Sequence, residues 1–156
     1  GEQGEIFMRA PEGVTTYRYV GADPRTIDGW ESLGDMGSMD EDGYIFLGDR
    51  ASDMILVGGA NVYPAEVEAA IDAHPSVTSS CVIGLPDDDL GARIHAIIQA
   101  ERELDDDELR EHLADRLVRY KIPRTFELVD QPLRDDAGKV RRAALRDERL
   151  TREKAS

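Results

Sequence analysis

The stretch GDRASDMILVGGANVYPAEVE, from Gly48 to Glu68, sets the interpretation of the fold. Four apolar residues, Met54 to Val57, predict a short strand that the glycine pair Gly58-Gly59 ends in a turn. Pro64 then predicts a helix start, because the first helical position needs no backbone N–H. The polar connector from Asp49 to Asp53 is a natural place for a domain boundary.

The helix that begins at Pro64 places apolar residues on one face at i, i+3 and i+4: Val67, Ala70 and Ile71. His74-Pro75 ends this helix, and Glu66 and Glu68 are assigned to its exposed face. Before the quoted stretch, short apolar runs such as Tyr44 to Leu47 alternate with turn residues such as Asp40 to Gly43. Residues 1–50 are therefore expected to be rich in short strands.

Strand and helix patterns also alternate after that helix. Apolar positions from Val77 to Leu85 and from Ile94 to Ile98 predict a hairpin turned at Pro86 to Asp89. Asp105 and Glu108 have the spacing of a capping box, so a second helix starts there and runs towards Pro123 along a buried stripe: Leu109, Leu113 and Leu117. A last strand at Phe126 to Val129 and a terminal helix from Val140 to Arg149 complete a compact α+β unit.

The composition restricts the partners. With 19 basic and 33 acidic residues the net charge is −14, which disfavours nucleic acid and anionic membranes. No apolar stretch approaches the roughly 20 residues that a membrane helix needs. The single cysteine, Cys81, can form no intrachain disulfide, so a cytoplasmic location is expected. No metal is assigned, because the three histidines lack ligand spacing and the acidic run at Asp40 to Gly43 lacks the remaining calcium ligands.

Three segments together carry a family resemblance: Leu33-Gly34-Asp35, the Gly48 to Glu68 block, and Ala137-Gly138-Lys139-Val140. In this order they resemble the closing third of the acyl-adenylate-forming superfamily, which includes acyl-CoA synthetases, adenylation domains of peptide synthetases, and luciferases. The resemblance runs from Gly4 to about Leu145. It implies that residues 1–51 are the β-rich end of a large N-terminal domain. Residues 52–156 would be a small C-terminal lid with a short mixed sheet and about three helices.

The resemblance gives Lys139 a catalytic role. In the family this lysine reaches the join between the acyl carboxylate and the α-phosphate of ATP, where a placed ammonium offsets the repulsion of two anions. Taken alone, a lysine in a polar loop is usually a solvated surface charge.

Asp35 matches the family aspartate that accepts the ribose hydroxyls of ATP, although Leu33 stands where the family has threonine. Arg50 matches an arginine on the ribose or phosphate side of the nucleotide; its alternative is a salt bridge to Asp49 or Asp53. Ser52 occupies the hinge position about which the family's lid turns.

Residues of the coenzyme A side are implied by the same resemblance. Gly58 and Gly59 lie where CoA-forming relatives have the loop beside the pantetheine tunnel, and their lack of Cβ atoms allows close approach. Arg124 and Phe126 lie near where some CoA ligases hold the CoA nucleotide, with a core strand position as the alternative for Phe126.

The expected function is that of an ATP-dependent acid-CoA ligase, which forms acyl-AMP from a carboxylic acid and Mg-ATP and transfers the acyl group to CoA. The expected partners are the acid, ATP, CoA and the protein's own N-terminal domain. This chain is expected to be an inactive C-terminal fragment, with the magnesium ligands, phosphate loop and acid pocket outside it. The alternatives are an adenylation domain of the peptide-synthetase type, or a non-catalytic acidic interaction module that keeps the lid fold.

Overall fold

The computed structural model describes residues 3–12, 14 and 25–155. It divides into two compact units, Gly1–Ser52 and Asp53–Ser156. The strand-rich segment expected over residues 1–50 includes residues 15–24, which lie outside the described residues.

The first unit contains an antiparallel sheet of four strands: β1 (Gln3–Met8), β2 (Thr26–Ile27), β3 (Trp30–Met39) and β4 (Ile45–Arg50). The long strand β3 pairs with each of the other three. The expected turn at Asp40 to Gly43 joins β3 to β4, and the Asp40 carboxylate accepts hydrogen bonds from the backbone N–H groups of Asp42 and Tyr44 at 3.0 and 2.9 Å.

The second unit begins with a two-stranded hairpin, β5 (Ile55–Val57) and β6 (Ala60–Val62). The connecting residues Gly58 and Gly59 have φ of +55° and +88°. Of the two-residue turns whose twist suits a hairpin, type I′ needs positive φ at both positions, which glycine adopts without a Cβ clash. The glycine pair therefore explains how so short a hairpin closes.

A mixed three-stranded sheet and three helices form the rest of this unit: α1 (Pro64–Asp72), β7 (Val77–Asp87), β8 (Gly91–Ala100), α2 (Asp106–Ala114), β9 (Thr125–Leu128) and α3 (Arg142–Lys154). Strands β7 and β8 pair in antiparallel fashion, and β9 pairs with β8 in parallel. The α+β fold expected from the sequence is confirmed.

Alternate residues of β7 and β8 face two different apolar clusters, because successive side chains of a strand point to opposite faces. Val82 and Ile98 pack with Ile71 of α1 and Leu109 of α2. On the other face, Cys81, Ile83, Leu85 and Ile97 form a second buried cluster. Five partly buried apolar residues pack against it, the last two from α3: Val129, Leu133, Val140, Leu145 and Leu150. The sheet is thus covered by helices on both faces.

Helix α2 begins as expected but ends earlier. The carboxylate of Asp105 accepts a hydrogen bond of 2.7 Å from the backbone N–H of Glu108, as an N-cap should. The helix ends at Ala114 rather than running towards Pro123. Leu117 still reaches the core, because its N–H bonds to the carbonyl of Leu113 before Val118 turns to extended torsions.

Two other sequence expectations are corrected by long-range contacts. The terminal helix starts at Arg142, because Val140 first pairs with Arg134 in an antiparallel bridge. Glu68 is buried rather than exposed, and its carboxylate accepts a hydrogen bond of 2.8 Å from the backbone N–H of Val82. Among the described residues, none of the helices combines the length and apolar character of a membrane span.

Candidate functional site

Lys139 lies at the end of a tight, hydrogen-bonded turn. The backbone N–H of Gly138 donates to the carbonyl of Asp135 at 2.7 Å, and that of Asp135 donates to the carbonyl of Lys139 at 3.0 Å. The Asp135 carboxylate also accepts from the N–H groups of Ala137 and Lys139 at 3.1 and 2.9 Å. Gly138 has φ of +73°, a value that favours glycine. The turn therefore holds its backbone in one shape and leaves the lysine side chain exposed.

The stem of this turn is fastened to the body of the second unit. Arg134 donates to the hydroxyl of Ser79 and to the carbonyl of Gly138, each at 3.2 Å. The stem residues Leu133 and Val140 pack against the apolar cluster on the α3 side of the sheet. Within the described part of the chain, no carboxylate forms an ion pair with the ammonium of Lys139. The cation is thus available to an incoming anion.

Arg142, three residues after Lys139, was missed by the sequence reasoning. Its guanidinium donates to the carboxylates of Asp53 and Glu68 at 3.0 and 2.7 Å and to the carbonyl of Val82 at 3.2 Å. The signal in the sequence was weak, since Glu68 lies 74 positions away and shows no anomaly of spacing.

Asp35 and Arg50 are brought together by strand pairing. They are register partners of β3 and β4, and Nε of Arg50 lies 3.9 Å from Oδ1 of Asp35. Asp35 lies within a strand rather than in the expected turn, because Gly34 with φ of +73° accommodates an irregularity inside β3. Both side chains remain accessible, at 36% and 76% exposure for Asp35 and Arg50. An exposed ion pair this long is weak and can exchange one partner for a ligand.

Ser52 lies in a single turn of 3₁₀ helix, Ala51–Asp53, and is exposed. It is the last residue of the first compact unit, and Asp53 is the first of the second.

A cavity of about 400 Å³ lies within the second unit, and both Gly58 and Arg124 line it. It is lined mainly by apolar surface with arginines among its walls: Val57, Gly58, Ala60, Leu90, Arg93, Ile94, Arg119, Tyr120, Ile122 and Arg124. The N–H of Gly58 donates to the carbonyl of Leu90 at 2.9 Å. A Cβ added at Gly58 would lie 3.2 Å from the side chain of Leu90, whereas one at Gly59 would meet no atom within 4 Å.

Asp87 holds one wall of this cavity in place and was also missed. Its carboxylate accepts from the N–H groups of Asp89 and Leu90 at 3.1 and 3.0 Å and pairs with Arg124 at 2.7 Å. The backbone hydrogen bond from Leu90, followed by that from Asp89 and the charge of Arg124, lowers the pKa of Asp87 below its ordinary value. Asp87 therefore stays ionised at neutral pH and orients Arg124.

Phe126 does not line the cavity. It packs against the apolar cluster beneath α1 and α2, and the guanidinium of Arg110 lies 5.0 Å from its ring centroid. Its ring face is thus occupied within the fold, in line with the core strand alternative.

Cys81 is a structural residue. It is fully buried, and burial, with a further contribution from the nearby Glu68 carboxylate, raises the pKa of its thiol to about 11. Thiolate is the reactive form, so this cysteine is inert at neutral pH. Among residues 3–12, 14 and 25–155, no three His, Cys, Asp or Glu side chains are grouped to hold a metal ion.

Comparison with known sequences identifies a domain of the chain. Residues 66–139 match the sequence model of the AMP-binding enzyme C-terminal domain. The chain therefore contains an AMP-binding enzyme C-terminal domain, and this match ends at Lys139.

Individual relatives cover nearly the whole chain. It is 40% identical over 147 residues to 2-succinylbenzoate–CoA ligase of Bacillus licheniformis, covering 93% of the chain and 31% of the relative. It is 38% identical over 153 residues to the fatty acid–[acyl-carrier-protein] ligase ScoC of Streptomyces coeruleorubidus, covering 94% and 29%. The chain thus spans about three tenths of the length of these relatives.

A solved structure agrees with the fold. The o-succinylbenzoate CoA synthetase (MenE) of Bacillus subtilis, in complex with its acyl-adenylate intermediate OSB-AMP, superposes with a TM-score of 0.80 at 35% identity. The match covers 94% of this chain and 31% of the synthetase.

Proposed function

We propose that this chain is the carboxyl-terminal part of an AMP-forming acid-CoA ligase. Such an enzyme forms acyl-AMP and pyrophosphate from a carboxylic acid and Mg-ATP, and then passes the acyl group to the thiol of CoA. The observation that carries the proposal is the exposed Lys139 on a turn fastened at both ends to the second unit. A fixed cation of this kind suits a step in which a carboxylate attacks a phosphate and negative charge accumulates.

In this proposal residues 1–51 end a large N-terminal domain and residues 52–156 form the lid. Asp35 accepts the two ribose hydroxyls of ATP, since a carboxylate can accept two O–H bonds from a vicinal diol. Arg50, its neighbour in the sheet, donates to the ribose or phosphate oxygens. Their accessible, loosely held ion pair supports this role.

We assign the cavity beside Gly58 to coenzyme A. A volume of about 400 Å³ falls within the range of small-molecule sites. Its apolar walls suit the pantetheine arm, and Arg119 and Arg124 at its wall suit phosphate oxygens. Phe126 has no part in this assignment, because Arg110 occupies its ring.

We also propose a cytoplasmic enzyme, since ATP and CoA are its substrates and its one cysteine is a free thiol. In this proposal a pocket in the N-terminal domain selects the carboxylic acid.

A carrier-protein acceptor is the second candidate. It is favoured by the similarity to ScoC, which is a fatty acid–[acyl-carrier-protein] ligase. Both acceptors present the same phosphopantetheine thiol, so the apolar part of the cavity serves either. The arginines favour CoA, which adds nucleotide phosphates that a carrier protein lacks. Assaying the full-length protein with CoA and with a phosphopantetheinylated carrier protein decides between them.

The proposal is tested by replacing Lys139 with alanine in the full-length protein. The acid is chosen from a screen that includes 2-succinylbenzoate and palmitate. Pyrophosphate release from Mg-ATP should fall by about 10²–10³-fold, the usual effect of removing one preorganised charge contact. Thioester formation from supplied acyl-AMP should continue near the unchanged rate, because the lysine has then left the site.

Lys154→Ala is the matched control, since Lys154 is an exposed lysine at the end of α3. It should leave both half-reactions unchanged. Equal loss of both half-reactions in Lys139→Ala would refute the assigned role. Normal pyrophosphate release in Lys139→Ala would remove the lysine from the reaction, whereas no release from the unchanged full-length protein with any acid would favour the non-catalytic interaction module.

A further inference from the structure

Arg142 joins three separate elements of the second unit. It is the first residue of α3, and its guanidinium binds Asp53 before β5, Glu68 on α1 and the carbonyl of Val82 on β7. Its side chain is 23% exposed, and those of Glu68 and Asp53 are 12% and 31% exposed. Each of the three guanidinium nitrogens donates a hydrogen bond to a different residue. A lysine ammonium at the end of a flexible stem cannot reproduce this planar arrangement.

In the contact of Arg142 with α1 and β7, three residues each bond to the other two: Arg142, Glu68 and Val82. Glu68 accepts from Arg142 and also from the N–H of Val82, while Arg142 donates to the carbonyl of the same Val82. Both backbone polar groups of Val82 are thus satisfied by this ion pair. The pair anchors the start of α3 firmly to the sheet.

The contact with Asp53 reaches the proposed pivot. Asp53 directly follows Ser52, and Lys139 precedes Arg142 by three residues. Two arginines hydrogen-bond the segment that carries Lys139 to β7. Arg134 donates to the hydroxyl of Ser79, and Arg142 donates to the carbonyl of Val82. Of these two arginines, Arg142 is the one that also binds beside residue 52.

We propose that Arg142 is a positioning residue that ties the turn of Lys139 to Asp53, so that the catalytic lysine moves as one rigid body with the residue beside the pivot. This inference rests on the proposed function, because it acts through Lys139. Without the tie, a rotation at residue 52 no longer sets the position of the ammonium. A misplacement of about 1 Å can cost about 10²-fold in rate.

The test uses the full-length protein and measures the two half-reactions separately. Arg142→Lys keeps a positive charge for the buried Glu68 but loses the fork. It should lower the turnover of pyrophosphate release by about 10²-fold. The KM for ATP and thioester formation from supplied acyl-AMP should stay near their unchanged values. A merely structural role would lower both half-reactions together with the melting temperature.

Asp53→Ala provides a second variant in case Arg142→Lys does not fold. This change removes the carboxylate beside Ser52 that pairs with Arg142 and leaves the Glu68–Arg142 pair in place. Adenylate formation should again fall selectively, though less than in Arg142→Lys. The double variant should lose no more than Arg142→Lys alone, because both changes break one connection. Arg146→Lys is the matched control and should leave both half-reactions unchanged, since Arg146 is an exposed arginine of α3 that donates to the carbonyl of Gly84 on β7 at 2.9 Å.

The outcomes separate this inference from the function on which it rests. Slow pyrophosphate release in Lys139→Ala with normal release in Arg142→Lys and Asp53→Ala would overturn the tie alone. Normal release in Lys139→Ala would overturn the catalytic role of Lys139 on which the tie depends, and absence of pyrophosphate release from the unchanged full-length protein would overturn the proposed function itself. Losses in the double variant that multiply those of the single variants would also overturn the tie, since they would show two independent effects.

Discussion

The two compact units of the chain differ in where their apolar side chains lie. In Asp53–Ser156, residues such as Ile71, Ile97 and Leu109 are fully buried between the sheet and its helices. Among the described residues of Gly1–Ser52, no apolar side chain is buried. Strand β4 instead carries Ile45, Phe46 and Leu47 at 58%, 58% and 71% exposure.

This difference shows which unit contains its own source of stability. Burial of apolar surface is the dominant favourable contribution to folding, so Asp53–Ser156 has the means to fold by itself. Contiguous exposed apolar residues in a soluble protein usually mark a surface that another part of the structure covers. The exposed apolar side chains of β4 therefore support the proposal that the first unit ends a larger N-terminal domain.

The largest expected effect compares one leucine in each unit. Leu109→Ala removes a fully buried side chain from the core beneath α2 and should lower the free energy of unfolding by about 2–5 kcal/mol. Leu47→Ala truncates a side chain that is 71% exposed and should change it by no more than about 0.5 kcal/mol. Urea unfolding of the 156-residue chain measures both. Similar losses for the two variants would show that the units do not differ in this way.

A smaller effect is expected on the pH dependence of stability. All three histidines lie in the second unit, so this dependence should arise there. Burial lowers the pKa of His95 from its ordinary value of 6.5, although the Glu127 carboxylate acts in the opposite direction. Arg149 and Arg93 add to the lowering, and the ring also bonds the hydroxyl of Thr125 at 2.7 Å. The folded protein thus holds His95 neutral at a pH where the unfolded chain binds a proton.

The stability associated with a neutral His95 ring is fully present above about pH 6.5. It is lost as the pH falls towards the lowered pKa of His95 in the folded state. The slope contributed by one proton is at most about 1.4 kcal/mol per pH unit. His95→Gln should flatten the fall of the unfolding free energy between pH 6.5 and 5, as followed by thermal unfolding at a series of pH values. An unchanged slope would show that His95 does not cause it.

The local features of the fold could be predicted because their causes are adjacent in sequence. Pro64 begins α1, the carboxylate of Asp105 caps α2, and the glycine pair at residues 58 and 59 turns the first hairpin. The mixed sheet was expected only from the family resemblance, and the parallel pairing of β9 with β8 could not be predicted from the residues themselves, since the strands are joined through α2 and a further loop. Pairing across such a distance leaves no short pattern in the chain.

The same distinction applies to the candidate site. Lys139, Asp35 and Arg50 were named from the resemblance of short segments, and their roles stay predictions. Glu68 was assigned to the exposed helix face because its helix alone gives no reason for burial. Its contacts with the backbone N–H of Val82 and with Arg142, 74 positions later, show why it lies inside. Charged pairs of this kind depend on tertiary packing and escape a reading of local periodicity.

That Asp53–Ser156 is a lid turning about Ser52 is tested most directly by Ser52→Pro in the full-length protein. Proline fixes φ near −65°, so a pivot that needs different torsions in the two half-reactions is confined to one of them. The stability should barely change, because Ser52 is exposed. The assays are pyrophosphate release and thioester formation from supplied acyl-AMP. We predict that one of these rates stays near that of the unchanged protein while the other falls, with an unaltered melting temperature. Unchanged rates in both assays would contradict a pivot at Ser52.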